Sequence, residues 1–126
     1  PYANRKLHSP IPIIHELVCI AEITHRAVQT FPKLKKYSIG ITLEKLMLEC
    51  IEACFQATAQ PLPVPKLIAL AHASAKFDAL KVYFRLCRTF KIFPDHAYAK
   101  LIPHCGAVGQ MLGGWLKEAR LTPRQS

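Results

Sequence analysis

Apolar residues return at helical spacing in four segments of the chain, and prolines separate those segments. In the first segment Ile13, Leu17 and Ile20 share one face, and in the third segment Phe77 and Leu80 do the same. Residues that recur every three to four positions line one side of an α-helix, which packs that side into a core. The pattern predicts helices over residues 13–31, 38–58, 66–91 and 95–119.

The breaks between the segments contain residues that suit helix ends. Phe31 precedes Pro32, and a residue before proline is displaced from the helical region, so the first helix is expected to end there. Ser38 is a candidate N-cap for the second helix. Residues 60–65 contain three prolines and predict a stiff, extended loop, with Pro65 at the first position of the third helix.

The number and spacing of these segments predict the fold. No segment alternates apolar and polar residues for long enough to predict a strand. Four helices joined by short links predict an all-α fold, an antiparallel up-down-up-down four-helix bundle. The bundle is expected over residues 13–120, with residues 1–12 as a flexible leader and residues 121–126 as a tail.

The fourth segment has two unusual features. Pro103 falls inside the apolar pattern and is expected to kink the helix or delay its start. Gly106, Gly109 and Gly113 lie along one face, although each glycine costs a helix roughly 1 kcal/mol relative to alanine. A second backbone that approaches closely would explain such a face. These glycines, together with Trp115 on the apolar stripe, are therefore candidate packing or oligomer contacts.

The charge of the chain narrows the functional classes. The 126 residues include 17 Lys and Arg against eight Asp and Glu, which gives a net charge of +9. Ten of the basic residues but only three of the acidic ones fall within residues 64–126. A local excess of this kind attracts polyanions such as nucleic acids. The alternative is a solvated face that only keeps the protein soluble.

Part of the excess forms a stripe on the third helix. Lys81, Arg85 and Arg88 stand at i, i+4 and i+7, so they point the same way, and Asp78 is the one acid among them. Their expected role is contact with phosphates. Tyr37, beside the basic connector, is open to two interpretations: stacking on a base, or packing on the bundle end. The candidate nucleic-acid or partner-binding residues are Lys81, Arg85, Arg88, Lys91, Lys117, Arg120, Arg124, Lys33, Lys35 and Lys36.

No pattern typical of a catalytic or metal site occurs in the sequence. The five cysteines form no C-x-x-C pair, the six histidines do not cluster, and no glycine-rich phosphate loop follows a strand. We therefore expect no catalytic residues, no metal, no cofactor and no enzymatic activity. Buried free thiols indicate a reducing compartment. With no secretory h-region and no apolar run of about 20 residues, the prediction is a cytoplasmic protein that does not enter a membrane.

Three segments of the chain resemble a known family. Residues 31–40, FPKLKKYSIG, resemble its "FPK…RYxLG" junction. Residues 77–86, FDALKVYFRL, are similar to its third-helix "DxLKxLLRL" segment, and residues 109–117, GQMLGGWLK, to its terminal "GRMLGGWIK". The family comprises the four-helix bundle proteins encoded in 23S ribosomal RNA intervening sequences and the accessory variability determinant (Avd) of diversity-generating retroelements. The resemblance covers about residues 11–119.

The resemblance implies an assembly and a set of partners. It implies a ring-like homopentamer with a basic surface. In the retroelement branch it also implies association with the element's reverse transcriptase and template RNA, with DNA as a second candidate nucleic acid. The protein would then be a non-catalytic accessory subunit that supports mutagenic reverse transcription. The alternative is an intervening-sequence protein that acts as a structural or interaction oligomer of undefined role.

Two positions depart from the family's pattern. Gln110 stands where the terminal motif has an arginine, which questions a role for that position in RNA or partner contact. Pro103 interrupts a helix that is usually continuous in the family. The strongly basic half of the chain after residue 63 favours the retroelement branch, because strong basicity suits a subunit that holds RNA.

Overall fold

The computed structural model describes the backbone of residues 12–125 and the side chains of residues 12–121. Four long helices account for most of this part of the chain. A short helical turn, Lys33–Lys35, and a π-helical turn, Lys36–Gly40, lead into the second of them. The long helices are α1 (Pro12–Gln29), α2 (Ile41–Ala59), α3 (Pro63–Thr89) and α4 (Asp95–Gln125).

The four helices form an antiparallel bundle, as the sequence predicts. Each helix contacts its neighbour along the chain, and α1 also contacts α4, so the order around the bundle is α1, α2, α3, α4. Arg26 near the end of α1 and His96 near the start of α4 line one cavity. Further along the same pair of helices, His104 Nδ1 lies 3.0 Å from Glu16 Oε1. The described residues contain no strand, and the all-α prediction is confirmed.

The apolar stripes meet in one core. Leu17, Leu43, Phe77 and Leu101, one from each long helix, are all at most 1% exposed. The polar hydroxyl of Thr24 is also buried there, and it donates a hydrogen bond to the carbonyl oxygen of Ile20 at 2.7 Å. Burial of apolar surface at roughly 25 cal/mol per Å² is the main stabilising contribution in such a bundle.

A group of aromatic rings closes the core at the end where α1 and α3 terminate. The ring of Phe93, in the α3–α4 connector, packs edge-on against those of Phe31, Phe84 and Tyr98 at centroid distances of 6.2, 5.8 and 6.2 Å. Edge-to-face pairs at this distance are attractive beyond the area they bury. The α1–α2 and α3–α4 connectors are therefore fixed side by side.

The start of α2 differs from the prediction. Ser38 is not an N-cap, because its hydroxyl donates to the carbonyl oxygen of Leu34 at 2.7 Å, the backward bond of a serine inside a helical turn. Helical structure begins at Lys33, directly after Pro32, and continues without a cap into α2. The non-helical part of the α1–α2 connector, residues 30–32, is thus shorter than the sequence pattern suggests.

Prolines produce two further differences. Pro63 and Pro65 lie in the first turn of α3, so the predicted extended loop through residue 65 is wrong. The first four N–H groups of a helix have no intrahelical acceptor, so a proline there sacrifices no hydrogen bond. Pro103 lies inside α4, which runs from Asp95 to Gln125, so it does not delay the start of that helix.

Two predicted segments fall at the chain ends. Residues 1–11 of the predicted leader and Ser126 lie outside the described residues, whereas residues 121–125 of the predicted tail belong to α4 and Pro12 begins α1. Over residues 12–125, no helix combines the length and the apolar character that a membrane crossing requires.

Candidate nucleic-acid interface

One end of the bundle gathers basic residues from two connectors. Lys35 Nζ, from the turn before α2, lies 5.8 Å from the ring centroid of Phe90, at the end of α3. Lys91 follows Phe90 with a φ of 62°, which turns the chain toward α4. We call this surface the basic end and define it by Lys33, Lys35, Lys36, Arg85, Arg88 and Lys91.

Tertiary structure brings these residues together although they are about 50 positions apart in the sequence. The α1–α2 connector contributes three lysines, the last turns of α3 contribute Arg85 and Arg88, and Lys91 follows in the α3–α4 connector. Side-by-side cations raise the local positive potential more than the same charges spread over the surface. The basic end therefore concentrates positive charge from separate parts of the sequence.

The cations of the α3 stripe differ in their partners. Lys81 Nζ lies 3.4 Å from Asp78 Oδ1, and Arg88 Nε lies 3.9 Å from Asp95 Oδ1. The Arg88 guanidinium also lies 4.6 Å from the ring centroid of Tyr98. Arg85 is exposed and makes no ion pair within the described part of the chain. Arg85 is thus the stripe residue with the most freedom to bind a phosphate.

The C-terminal candidates belong to the opposite end. Lys117 and Arg120 are exposed on α4, and Lys117 lies about 33 Å along the helix from Asp95 at 1.5 Å per residue. The side chain of Arg124 lies outside the described residues. The ten predicted cations therefore do not form one continuous surface in a single chain.

Tyr37 lies beside the basic end with much of its ring exposed. Its side chain is 63% exposed, and Lys36 Nζ lies 5.9 Å from its ring centroid. A ring in this position is accessible for stacking. Tyr37 is not among the residues that pack against the hydrophobic core.

The glycine face of α4 is open in the single chain. Gly106, Gly109 and Gly113 are exposed, and a Cβ atom added to any of them would meet nothing within 4 Å. Trp115 is half-buried and packs against the core of its own bundle. The close approach that the sequence predicts at these glycines is not made by any other part of the described chain.

A surface cavity adjoins the α3 stripe, and Lys81 and Arg85 of the stripe are among its lining residues. It has a volume of about 280 Å³ and opens between α3 and α4. Val82 and Ile102, which are 51% and 55% exposed, stand on its two sides. The remaining lining residues are Asp78, Phe84, Tyr98, Leu101 and Cys105.

A comparison of the sequence with family models adds to this description of the fold. A model described as bAvd-like matches residues 13–119, which is most of the chain. The protein belongs to the bAvd-like family. The resemblance to the accessory variability determinant is confirmed, and membership indicates an Avd-type accessory protein linked to a retroelement. No curated protein and no solved structure matches the chain.

The thiols of this bAvd-like chain suit a structural role. All five cysteines are free, and Cys50, Cys54 and Cys87 are buried. Burial raises the pKa of the Cys50 thiol to about 12 and that of Cys54, Cys87 and Cys105 to about 11. A thiol with a raised pKa is a poor nucleophile at neutral pH. Among the described residues, no three His, Cys, Asp or Glu side chains are placed to hold a metal ion.

Sequence reasoning missed two basic residues near the basic end. Arg26 and Lys100 line one cavity with His96, next to the α3–α4 connector. Arg26 stands in the last turn of α1 and Lys100 in the second turn of α4. Their positions near helix ends are visible in the sequence, but that they share one end of the bundle follows only from the antiparallel arrangement.

Proposed function

We propose that this bAvd-like protein is a non-catalytic, nucleic-acid-binding accessory subunit of a diversity-generating retroelement. In this role it associates with the element's reverse transcriptase and template RNA and supports mutagenic reverse transcription in the cytoplasm. Family membership supports the retroelement context. The observation that carries nucleic-acid binding is the basic end, where Lys35 of the α1–α2 connector contacts the ring of Phe90 at the end of α3, next to Lys91.

The proposed contacts are with phosphates rather than with base edges. Lysine and arginine side chains that neutralise phosphates release counterions, so affinity falls steeply as salt rises. Arg85 and Lys91 are both available for such contacts, because neither makes an ion pair among the described residues. Arg88 contributes less, since Asp95 and the ring of Tyr98 already engage its guanidinium.

We further propose that the protein assembles into a homopentamer. The exposed glycine face supports self-association, because a partner backbone could approach there without steric conflict. A closed ring would repeat the basic end in every subunit. Several weak phosphate sites linked in this way bind one polyanion much more tightly than a single site does.

Charge reversal at the basic end tests the nucleic-acid function. Arg85→Glu with Lys91→Glu should weaken RNA binding, and the slope of log affinity against log salt should become shallower by about one for each phosphate that is no longer neutralised. Binding is measured by fluorescence anisotropy of a labelled RNA over a salt series. Circular dichroism should show unchanged helicity, because both residues are exposed.

Two controls make the outcome specific. Lys45→Glu reverses an exposed charge on the acidic helix α2 and should change affinity little. Lys117→Glu with Arg120→Glu tests the opposite end of the bundle. The proposal fails if RNA affinity of the unaltered protein is flat from low to moderate salt.

A second candidate function is a structural oligomer without nucleic-acid partners, as in the intervening-sequence branch. The open glycine face favours it, because that surface suits assembly irrespective of charge. Sedimentation velocity together with pull-down by the reverse transcriptase separates the two candidates. A pentamer with no affinity for RNA or for the reverse transcriptase would support the structural role.

A further inference from the structure

We infer that the cavity between α3 and α4 receives a single unstacked base, so that the protein binds single-stranded nucleic acid in preference to duplex. The inference rests on the proposed nucleic-acid function and specifies which form of nucleic acid is bound. The cavity has a volume of about 280 Å³ and an opening flanked by Val82 and Ile102. It lies on the same face of α3 as the phosphate-binding stripe.

The lining of the cavity suits a flat, uncharged group. Its deep part is formed by Phe84, Leu101 and Cys105, of which Phe84 and Leu101 are buried. Val82 and Ile102 leave about half of their side-chain surface exposed on either side of the opening. Ligand pockets for drug-sized molecules measure roughly 300–1,000 Å³, so this slightly smaller cavity matches one ring system rather than a larger molecule.

The rim of the cavity suits an anion attached to that group. Lys81 and Arg85 lie one helical turn apart on the rim, with about 5–6 Å between the Cβ atoms of such a pair. Asp78 lies 3.4 Å from Lys81 Nζ and partly neutralises it, so Arg85 is the main cation beside the opening. Apolar lining with a cationic rim matches a nucleotide, in which an uncharged base adjoins a phosphate.

The surroundings favour a nucleic-acid strand over an acidic protein segment. The cations continue beyond the cavity through Arg88 to Lys91 and to Lys35, which contacts the end of α3. A row of cations of this kind matches a polymer that carries one negative charge in every repeat unit. Bases in a duplex are stacked and paired, whereas bases of a single strand can turn outward into a pocket.

Removal of the two apolar side chains at the opening tests the inference without altering charge. Val82→Ala with Ile102→Ala should weaken binding of a short single-stranded RNA by at least about fivefold and leave binding of the matching duplex unchanged. Both residues are half-exposed, so the bundle should remain folded. A 2-aminopurine base in the single strand reports unstacking: its fluorescence should change on binding to the unaltered protein and not to the variant.

Matched variants separate the cavity from general effects. Leu48→Ala with Ile68→Ala removes two exposed apolar side chains elsewhere and should leave both affinities unchanged, since they are 62% and 66% exposed. Cys105→Phe fills the cavity from within and should reproduce the loss of single-strand preference. Thermal melting confirms that this variant folds.

Three outcomes would overturn the inference. Equal affinity of the unaltered protein for single strand and duplex would exclude base insertion, as would unchanged single-strand affinity in the Val82→Ala, Ile102→Ala variant. In either case, weaker RNA binding by Arg85→Glu would leave the proposed function intact. If the Val82→Ala, Ile102→Ala variant instead failed to self-associate or to bind reverse transcriptase while RNA binding persisted, the cavity would hold a protein side chain.

Discussion

At the scale of single residues, Gly40 shows a local requirement that the helical pattern does not contain. It is buried in the π-helical turn before α2, and a Cβ atom there would lie 2.9 Å from Val28 Cγ1 and 3.3 Å from the carbonyl oxygen of Lys35. Val28 is itself 1% exposed and has little room to move. The absence of a side chain at Gly40 therefore lets the start of α2 approach α1.

Substitution of Gly40 should destabilise the protein. Gly40→Ala is expected to lower the free energy of unfolding by about 1–3 kcal/mol, because the added methyl group overpacks a filled space. Gly106→Ala serves as the matched control, and in that open helical position it should raise stability by up to about 1 kcal/mol. Urea denaturation at low protein concentration measures both. Effects of the same sign in the two variants would contradict this account of Gly40.

An ion pair between α2 and α3 should make stability depend on acid pH. Lys76 Nζ donates a hydrogen bond to Glu49 Oε1 at 2.8 Å, and this bond holds the pKa of the Glu49 carboxyl below its usual range. A lowered carboxyl pKa contributes stability above the ordinary carboxyl range, and that contribution is lost as the pH falls through the lowered value. Glu49→Gln should therefore have a lower free energy of unfolding than the unaltered protein at neutral pH. This difference should shrink as the pH falls.

The comparison requires a carboxyl group without such a partner. Glu52 is exposed on the same helix and makes no ion pair within the described part of the chain. The effect of Glu52→Gln on the free energy of unfolding should therefore not change with acidification in the way expected for Glu49→Gln. Urea unfolding from neutral pH down to about pH 3 gives both curves. A Glu49→Gln deficit that is constant with pH would show that the ion pair does not stabilise the fold.

At the scale of helices, prolines have opposite effects according to their place. Pro63 and Pro65 stand in the first turn of α3, where their missing N–H groups have no intrahelical acceptor. Pro103 stands in the third turn of α4, where its missing N–H leaves the carbonyl of Ala99 without its usual donor. The same residue type is thus neutral in one helix and costly in another.

Replacement of Pro103 should stabilise α4. Pro103→Ala is expected to raise the free energy of unfolding by up to about 3 kcal/mol, since the side chain is exposed and the substitution restores a hydrogen bond. Pro63→Ala provides the control and should change stability by much less. Thermal or urea unfolding of the two variants measures the difference. Equal changes in the free energy of unfolding for the two variants would mean that α4 already accommodates Pro103 without loss of stability.

The stripes of the helices were predictable, whereas the turns were not. Leu17, Phe77 and Leu101 are buried as their spacing predicts, because one face of each helix is covered. Ser38 misled the prediction, since a serine hydroxyl can cap a helix or bond backward inside one. The choice between these two roles depends on whether the preceding residues are helical, and here residues 33–37 are.

At the scale of the whole molecule, the candidate surface depends on the antiparallel topology. The stripe on α3 was predictable from helical spacing alone. The contact of Lys35 with the end of this helix was not predictable, because it requires both connectors to lie at the same end of the bundle. Topology likewise separates Lys117 and Arg120 from the stripe, although sequence proximity places all of them in the basic half.

The glycine-rich part of α4 has a consequence for the dynamics of the protein. Four of the five glycines of the chain fall within residues 106–114, where helix propensity is lowest. Amides in this part of α4 should exchange with deuterium quickly in a dilute, single chain, because local opening there costs little free energy. Assembly that covers the glycine face should slow their exchange selectively. Protection of residues 106–114 that rises with protein concentration would therefore map the assembly surface within the helix.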